Sequence, residues 1–358
     1  MMPTLIGGSR ITAALRKGTL REVGVVIVVV FGVGSIAMLL AHVSPLVGFG
    51  ALFDGAFGTP EEIAQTLVQA TNLLFPALGI ALAFRAGLFN IGAEGQLILG
   101  GFAAGWLGAQ LPLPGYLAVP AIMLAGALAG GAWGAIPGFL RARFGANEVI
   151  ATLMLNVVAV LLTTYLVTGP LQQGGGGASE TAALPKSAQI PDLIALAADP
   201  HFTLAYLVTP FVVAIVLALI LRRVLYGTAF GYELRAAGEA PEAAKRAGID
   251  LGRTAFVAMA LSGAIAGLGG ATIVAGVLHR FNTGLSPGYG FIAIAVALVG
   301  NLDPLWIVVA SIGFGMLTSG GIAMQAEAGV PREVVTLITG LVIIALAGRR
   351  VIAARRTT

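Results

Sequence analysis

The sequence predicts an all-α fold: a polytopic membrane helix bundle of about ten transmembrane helices, with both termini cytoplasmic. Three observations carry that prediction. The 358 residues are 58% hydrophobic and 10% charged, with a mean hydropathy of +0.95, whereas a soluble domain carries about 25% charged residues. Apolar stretches approaching the ~20 residues of a membrane-spanning helix recur along the chain. The basic residues then segregate to one side of the membrane that those stretches define.

Residues 1–22 form a cytoplasmic N-terminal segment with Arg10, Arg16, Lys17 and Arg21. It is longer than the basic region of a signal peptide, the apolar run after it has about 19 residues, and no small-residue cleavage site follows. The first span therefore reads as uncleaved. Residues 23–348 form a single transmembrane domain, with spans near 23–42, 63–84, 95–111, 116–139, 148–169, 203–221, 254–278, 289–302, 304–323 and 333–347. The turn "NLDP" (301–304) separates the eighth from the ninth. Residues 349–358 form a basic cytoplasmic tail. With the N-terminus inside, the inner loops hold Arg85, Arg141, Arg143, Arg222, Arg223, Arg235, Lys245, Arg246 and Arg253, besides the basic residues of the two ends. Only Lys186, Arg280 and Arg332 fall outside. One missed span would scramble that asymmetry, so it supports the count and the orientation together.

Two loops are long. The external loop 170–202 contains "GGGG" (174–177), which is linker chemistry, and the proline-punctuated "IPDLIALAADP" (190–200), which suits the membrane interface. The cytoplasmic loop 222–253 is charged and compatible with helix. The 51 glycines suit close helix packing, because small residues let backbones approach. "GFAAG" (101–105), "GALAG" (126–130), "GAIPG" (134–138) and "GAIAG" (263–267) all have the small-xxx-small spacing.

Polar residues inside the spans are the candidate functional groups. Gln65, Gln69 and Asn72 share one face of the second span, at i, i+4 and i+7, ahead of a Pro76 expected to kink it. Thr152 and Asn156 share a face of the fifth. Burying such groups is costly unless partners or water satisfy them. Two readings stay open: hydrogen bonds that hold helices together, worth about 0.6 kcal/mol each, or the polar lining of a translocation path. The stretch "FRAGLFNIGAEGQLILGG" (84–101) interrupts the apolar pattern most sharply. Between Glu94 and "LPLP" (111–114) only about 17 residues remain for a crossing. Residues 90–96 thus read as non-helical backbone within the membrane, tolerated there only if protein buries it or it lines a cavity. Gly87, Gly92 and Gly95 permit the bend. An ordinary cytoplasmic turn is the alternative. The path residues are then Gln65, Gln69, Asn72, Asn90, Glu94, Gln96 and Asn156.

The sequence shows no chemistry of covalent catalysis. It has no cysteine, and His42, His201 and His279 lack metal-ligand spacing. Nucleotide, zinc-protease, nucleophile-elbow and dinucleotide motifs are absent from the sequence. No catalytic residue, metal site or cofactor is expected in this chain, and ATP-driven work has to enter from a partner. The net charge of +4 belongs to cytoplasmic loops facing lipid headgroups, not to nucleic-acid binding.

"FRAGLFNIGAEGQ" (84–96), "ANEVIATLMLN" (146–156) and "GYELRAAGEAPEAAKRAGI" (231–249), in that order, resemble the permease subunits of bacterial ABC importers. The most similar group handles nucleosides and simple sugars and is related to the ribose and branched-chain amino acid permeases. The resemblance runs from about residue 60 to 348 and implies the type II importer fold in the bacterial cytoplasmic (inner) membrane. It also implies three partners: an ABC ATPase subunit, a second and different permease of which this chain looks like the longer, and an extracytoplasmic substrate-binding lipoprotein. Nucleosides come first as cargo, pentoses and other sugars second, amino acids third. The segment 231–249 would be the coupling region that docks in a groove of the ATPase.

The residues of that segment fit a short rigid helix: Pro241 opens it, Glu242 lies in its first turn, Lys245 and Arg246 near its end, and Gly248 stops it. A solvated helix without a partner has the same signature. Ala237, Gly238, Ala243, Ala244 and Ala247 offer small side chains for a close-fitting groove. The rival class is an ion-coupled secondary transporter, which keeps an acidic residue deep in a span. Glu94 is its one plausible carrier. An intramembrane enzyme lacks any nucleophile, base or metal cluster here.

Overall fold

A computed structural model describes residues 28–111, 113–172, 179–190 and 205–355 of the chain. The basic N-terminal segment, the glycine run 174–177 and residues 191–200 lie outside the described residues. Among the described residues every element is helical, and one isolated antiparallel bridge joins Glu180 to Asn282.

The helices follow in order: α1 Val28–Leu40, α2 Pro45–Phe57, α3 Pro60–Arg85, α4 Ala93–Gly108, α5 Gly115–Phe144, α6 Glu148–Thr168, α7 Ala205–Gly227 and α8 Ala229–Glu239. After them come α9 Pro241–Arg246, α10 Leu251–Ile273, α11 Tyr289–Val299, α12 Pro304–Ala326 and α13 Arg332–Arg355. Each of the ten predicted stretches falls on a helix. Six described helices are long and apolar enough to cross a bilayer, and seven if α1 and α2, bent by 117°, count as one span. Two of the predicted spans, α4 and α11, fall short for a geometric reason. With 16 residues in α4 and 11 in α11, these helices reach about 24 and 16 Å, short of the ~30 Å hydrocarbon core. The sequence reading also missed α2, which follows α1 after a tight turn with His42 at φ 58°.

The chain divides into two compact units, Thr59–Thr318 and the pair Met1–Gly58 with Ser319–Thr358. In the second unit α1, α2, the end of α12 and α13 pack through glycines. A Cβ on Gly55 would overlap that of Ala323 at 2.0 Å, and Ser319 donates to the Gly55 carbonyl at 3.0 Å.

The larger unit is built around α3 and α10, whose apolar windows are 83% and 67% buried, against 28% for α5 and 22% for α6. Local signals set its helix ends. Thr59 caps α3 by accepting from the Glu62 N–H at 3.2 Å, with Pro60 in the first turn. Asn147 caps α6 and Asp250 caps α10. Gly145, at φ 65°, closes α5 in the left-handed conformation expected past a helix end. Pro76 sits inside α3 without ending it.

The tightest packing joins α5 to α10. A Cβ on Gly130 would lie 2.4 Å from the Gly263 carbonyl oxygen, and one on Gly267 would lie 2.3 Å from that of Gly126. The two small-residue motifs of α5 and the one of α10 therefore form a single backbone-to-backbone seam. The motif at 101–105 serves another contact: Cβ atoms on Gly101 and Gly105 would meet Leu285 at 2.4 Å and Phe281 at 2.7 Å. Beyond α10 the chain makes one wide helical turn, Val274–Leu278. Residues 179–190 lie against it: Leu184 donates to the His279 carbonyl at 2.7 Å and Ile190 to that of Ala275 at 3.0 Å. Arg280 pairs with Glu180 on the same strap at 2.5 Å.

Candidate functional site

Between α3 and α4 only residues 86–92 are non-helical; Ala93–Gln96, expected from sequence to belong to that irregular stretch, form the first turn of α4, where Asn156 gives the Gly95 N–H its acceptor. Asn90, fully buried, accepts from the Gly92 N–H at 3.0 Å, which closes a local turn of the kind Asn favours. Its amide donates to Gln96 Oε1 at 2.9 Å and to Ser262 Oγ on α10 at 2.7 Å. Gln96 Nε2 returns a bond to Asn90 Oδ1 at 3.2 Å. Asn156, from α6, donates to the Ile91 carbonyl at 2.9 Å and accepts from the Gly95 N–H at 2.9 Å. Gly95 lies in the first turn of α4, where N–H groups lack an intrahelical acceptor. Asn156 thus caps a helix from another part of the chain.

Glu94 is buried, 6% exposed, and faces the start of α11. Its Oε2 accepts from the Gly290 N–H at 2.7 Å, and it also hydrogen-bonds Ser286 and the Gly288 backbone. The helix's own N-cap is Gly288, at φ 102°, which supplies no side chain. Glu94 supplies the missing acceptor at the positive end of the helix dipole. The approach is close: a Cβ on Gly290 would lie 2.3 Å from the Glu94 nitrogen.

The other end of α11 meets Arg85. Its guanidinium donates to the Asn301 and Leu302 carbonyls, each at 3.2 Å, in a turn where both residues have positive φ. Arg85 Nη2 also donates to the Tyr226 hydroxyl at 2.9 Å. Arg85 and Glu94 therefore bracket one helix of 11 residues, about 16 Å long at 1.5 Å per residue.

The predicted path residues fall into two groups. Asn90, Glu94, Gln96 and Asn156 come together at the start of α4. Gln69 and Asn72 meet at Tyr289, whose hydroxyl donates to Gln69 Oε1 at 3.0 Å and also hydrogen-bonds Asn72. Gln65 is exposed on α3, apart from both groups. Asn72 also lines a narrow crevice with Val68, Thr71, Pro210, Thr272 and Val277.

In the cytoplasmic loop the predicted short helix is present as α9, with Gly248 at φ 86° behind it. Pro241, Glu242, Ala243, Ala247 and Gly248 are exposed, Ala237 and Gly238 half-buried. Ala244, grouped with the groove-fitting side chains from sequence, is 4% exposed and turned into the protein. Its face was undetermined from sequence because α9 has only 6 residues. Gly238 packs inward as well: a Cβ there would lie 2.3 Å from the Arg85 carbonyl oxygen and 2.7 Å from the Gly87 nitrogen. Sequence reasoning passed over Tyr226, Ser262, Ser286, Tyr289 and Gly290. Each sits on an otherwise ordinary apolar or loop stretch, and the partner that gives it meaning is distant in the chain.

Comparisons with known proteins show the family. Residues 62–347 match the family described as branched-chain amino acid transport system / permease component. The guanosine ABC transporter permease protein NupP of Bacillus subtilis is 36% identical over 329 residues, 90% of this chain and 91% of its own. The glucose ABC transporter permease protein TsgB13 of Haloferax volcanii is 36% identical over 323 residues, 88% of this chain and 83% of its own. The nucleoside ABC transporter permease protein NupB of Lactococcus lactis is 32% identical over 333 residues, 91% and 90%. No solved structure matches the chain. The chain belongs to the branched-chain amino acid transport system / permease component family, and it is a multi-pass membrane permease of an ABC importer.

Proposed function

We propose that this permease carries a nucleoside, with a simple sugar as second choice, from an extracytoplasmic binding lipoprotein across the bacterial cytoplasmic membrane. It pairs with a different permease and is driven by a separate ATPase subunit. The observation that carries the substrate is the similarity to permeases named for guanosine and nucleoside transport over about nine tenths of the chain. The path runs past the Gln65, Gln69 and Asn72 row of α3. Asn90, Gln96 and Asn156 stand behind it as its support, and Glu94 joins the two groups. An ion-coupled carrier would need a carboxylate free to exchange its cation, and Glu94 is engaged by the start of α11.

The test is uptake by the reconstituted complex. Radiolabelled guanosine should accumulate only with ATP inside and binding protein outside, and excess unlabelled nucleoside should compete where ribose and glucose do not. Competition by glucose alone would move the substrate to the sugars, and accumulation without ATP would sink the importer mechanism.

Both termini are placed in the cytoplasm on the charge asymmetry. Reporter fusions after residues 180 and 240 are expected on opposite faces, outside and inside; two fusions on one face would refute the topology. The ATPase docks on the exposed face of α9. Ala243→Trp and Ala247→Trp should therefore weaken co-purification of the ATPase while leaving the permease folded, as judged by its thermal midpoint. Retention of both ATPase and uptake in the double variant would remove α9 from the docking surface.

A further inference from the structure

We propose that α11 is the rod that carries motion from the cytoplasmic loop to the Glu94 segment, with Arg85, Tyr226 and Glu94 as positioning residues. This rests on the reading of loop 222–253 as the ATPase contact. Three independent features of the geometry support it.

The first is the way α11 is held. A helix this short leaves four N–H and four C=O groups without intrahelical partners. Its two ends are held from one short stretch of chain: Glu94 accepts from the Gly290 N–H in the first turn, and Arg85 donates to the Asn301 and Leu302 carbonyls in the turn that closes the helix. A shift of α11 along its axis is therefore passed from the Arg85 end to Glu94.

The second is the chain of contacts that reaches Arg85. Two guanidinium groups lie close to the Tyr226 ring, that of Arg85 at 5.7 Å and that of Arg235 on α8 at 5.0 Å. Arg235 also donates to the Leu225 carbonyl at the end of α7. Helix α8 therefore grips Tyr226, Tyr226 grips Arg85, and Arg85 grips the turn that closes α11.

The third is the absence of slack. Backbone meets backbone where Gly238 of α8 abuts residues 85–87, and again where Gly290 abuts Glu94. Close-packed contacts of this kind pass on a rigid-body shift and do not absorb it.

The chain has no cysteine of its own, so a single reporter thiol can be read on this subunit once it is separated from its labelled partners. Pro287→Cys places one on an exposed residue just before α11. Its labelling rate by a water-soluble maleimide is measured in proteoliposomes, nucleotide-free and vanadate-trapped with ATP. The rate is expected to differ between the two states. Adding Arg85→Gln should erase that difference and lower guanosine uptake about tenfold, within the 5–150-fold range of coupling free energies. The ATPase should still co-purify and hydrolyse ATP. Arg85→Lys, which keeps the charge and loses the planar fork, should recover part of both signals. If Arg85→Gln does not assemble, Tyr226→Leu removes the ring beside both guanidiniums without touching α11, and the same loss is expected.

A reporter that never responds to nucleotide overturns the proposal. So does a response that survives Arg85→Gln or Tyr226→Leu with the ATPase bound. Deletion of 238–247 separates the two ideas: if ATPase binding and uptake survive it, the coupling-loop reading itself fails.

Discussion

Gly267→Val is expected to destabilise the permease strongly. A Cβ at Gly267 would lie 2.3 Å from the Gly126 carbonyl oxygen, 2.8 Å from the Gly130 Cα and 3.0 Å from the Gly130 nitrogen. All three obstacles are backbone atoms of α5, which cannot rotate aside as a flexible side chain would. The α5–α10 seam has to open by more than an ångström, and contacts at Gly263 and Gly134 are lost with it. Overpacking a core costs about 1–3 kcal/mol when side chains can adjust, and here they cannot, so the upper end is the floor. Against a total stability of about 5–15 kcal/mol, that lowers the thermal midpoint by roughly 5–10 °C or prevents recovery of monodisperse protein. The measurement is a thermal melt of purified protein in detergent. Gly313→Ala is the control, because nothing lies within 4 Å of its would-be Cβ; it should match the parent or gain slightly from helix propensity. An unchanged midpoint for Gly267→Val would mean that the seam is not close-packed.

Asn156→Leu is expected to have the second-largest effect. The substitution is near-isosteric, but it strands the Gly95 N–H and the Ile91 carbonyl, both bound at 2.9 Å. A buried backbone group left unpaired costs about 1–3 kcal/mol, so two put the loss at roughly 2–6 kcal/mol. The damage should be local. Segment 90–96 should lose protection from amide hydrogen exchange while α5 and α10 keep theirs, and uptake should fall because Glu94 no longer meets α11 correctly. Asn147→Ala removes an asparagine cap at an exposed helix start and should cost only about 1 kcal/mol. Unaltered exchange in 90–96 for Asn156→Leu would show that Asn156 does not hold this segment.

These two predictions stand differently to the sequence. The glycine motifs of α5 and α10 were legible as spacing, because an i, i+4 repeat of small residues makes a flat stripe on any helix. Which stripe met which was not, and the motif at 101–105, identical in spacing, meets bulky Leu285 and Phe281 instead. Asn156 was legible as a costly polar residue on an apolar face. Whether it lined a path or satisfied a neighbour depended on Ile91 and Gly95, 65 and 61 residues away.

The sequence by itself determined the membrane class, ten of the helical stretches, the short helix α9 with its ends, and the family resemblance. The physical causes of these are local: apolar run length, Pro241 at the start of α9 and the left-handed Gly248 behind it, and three contiguous motifs. Tertiary structure alone decided what the charges of "FRAGLFNIGAEGQ" are for. Arg85 finds its partners in the turn that follows α11, 216 and 217 residues away, and Glu94 finds one in the first turn of α11, 196 residues away. A buried polar group is acceptable only beside groups that pair with it, and for Glu94 that group is the Gly290 N–H, which has no acceptor within its own helix.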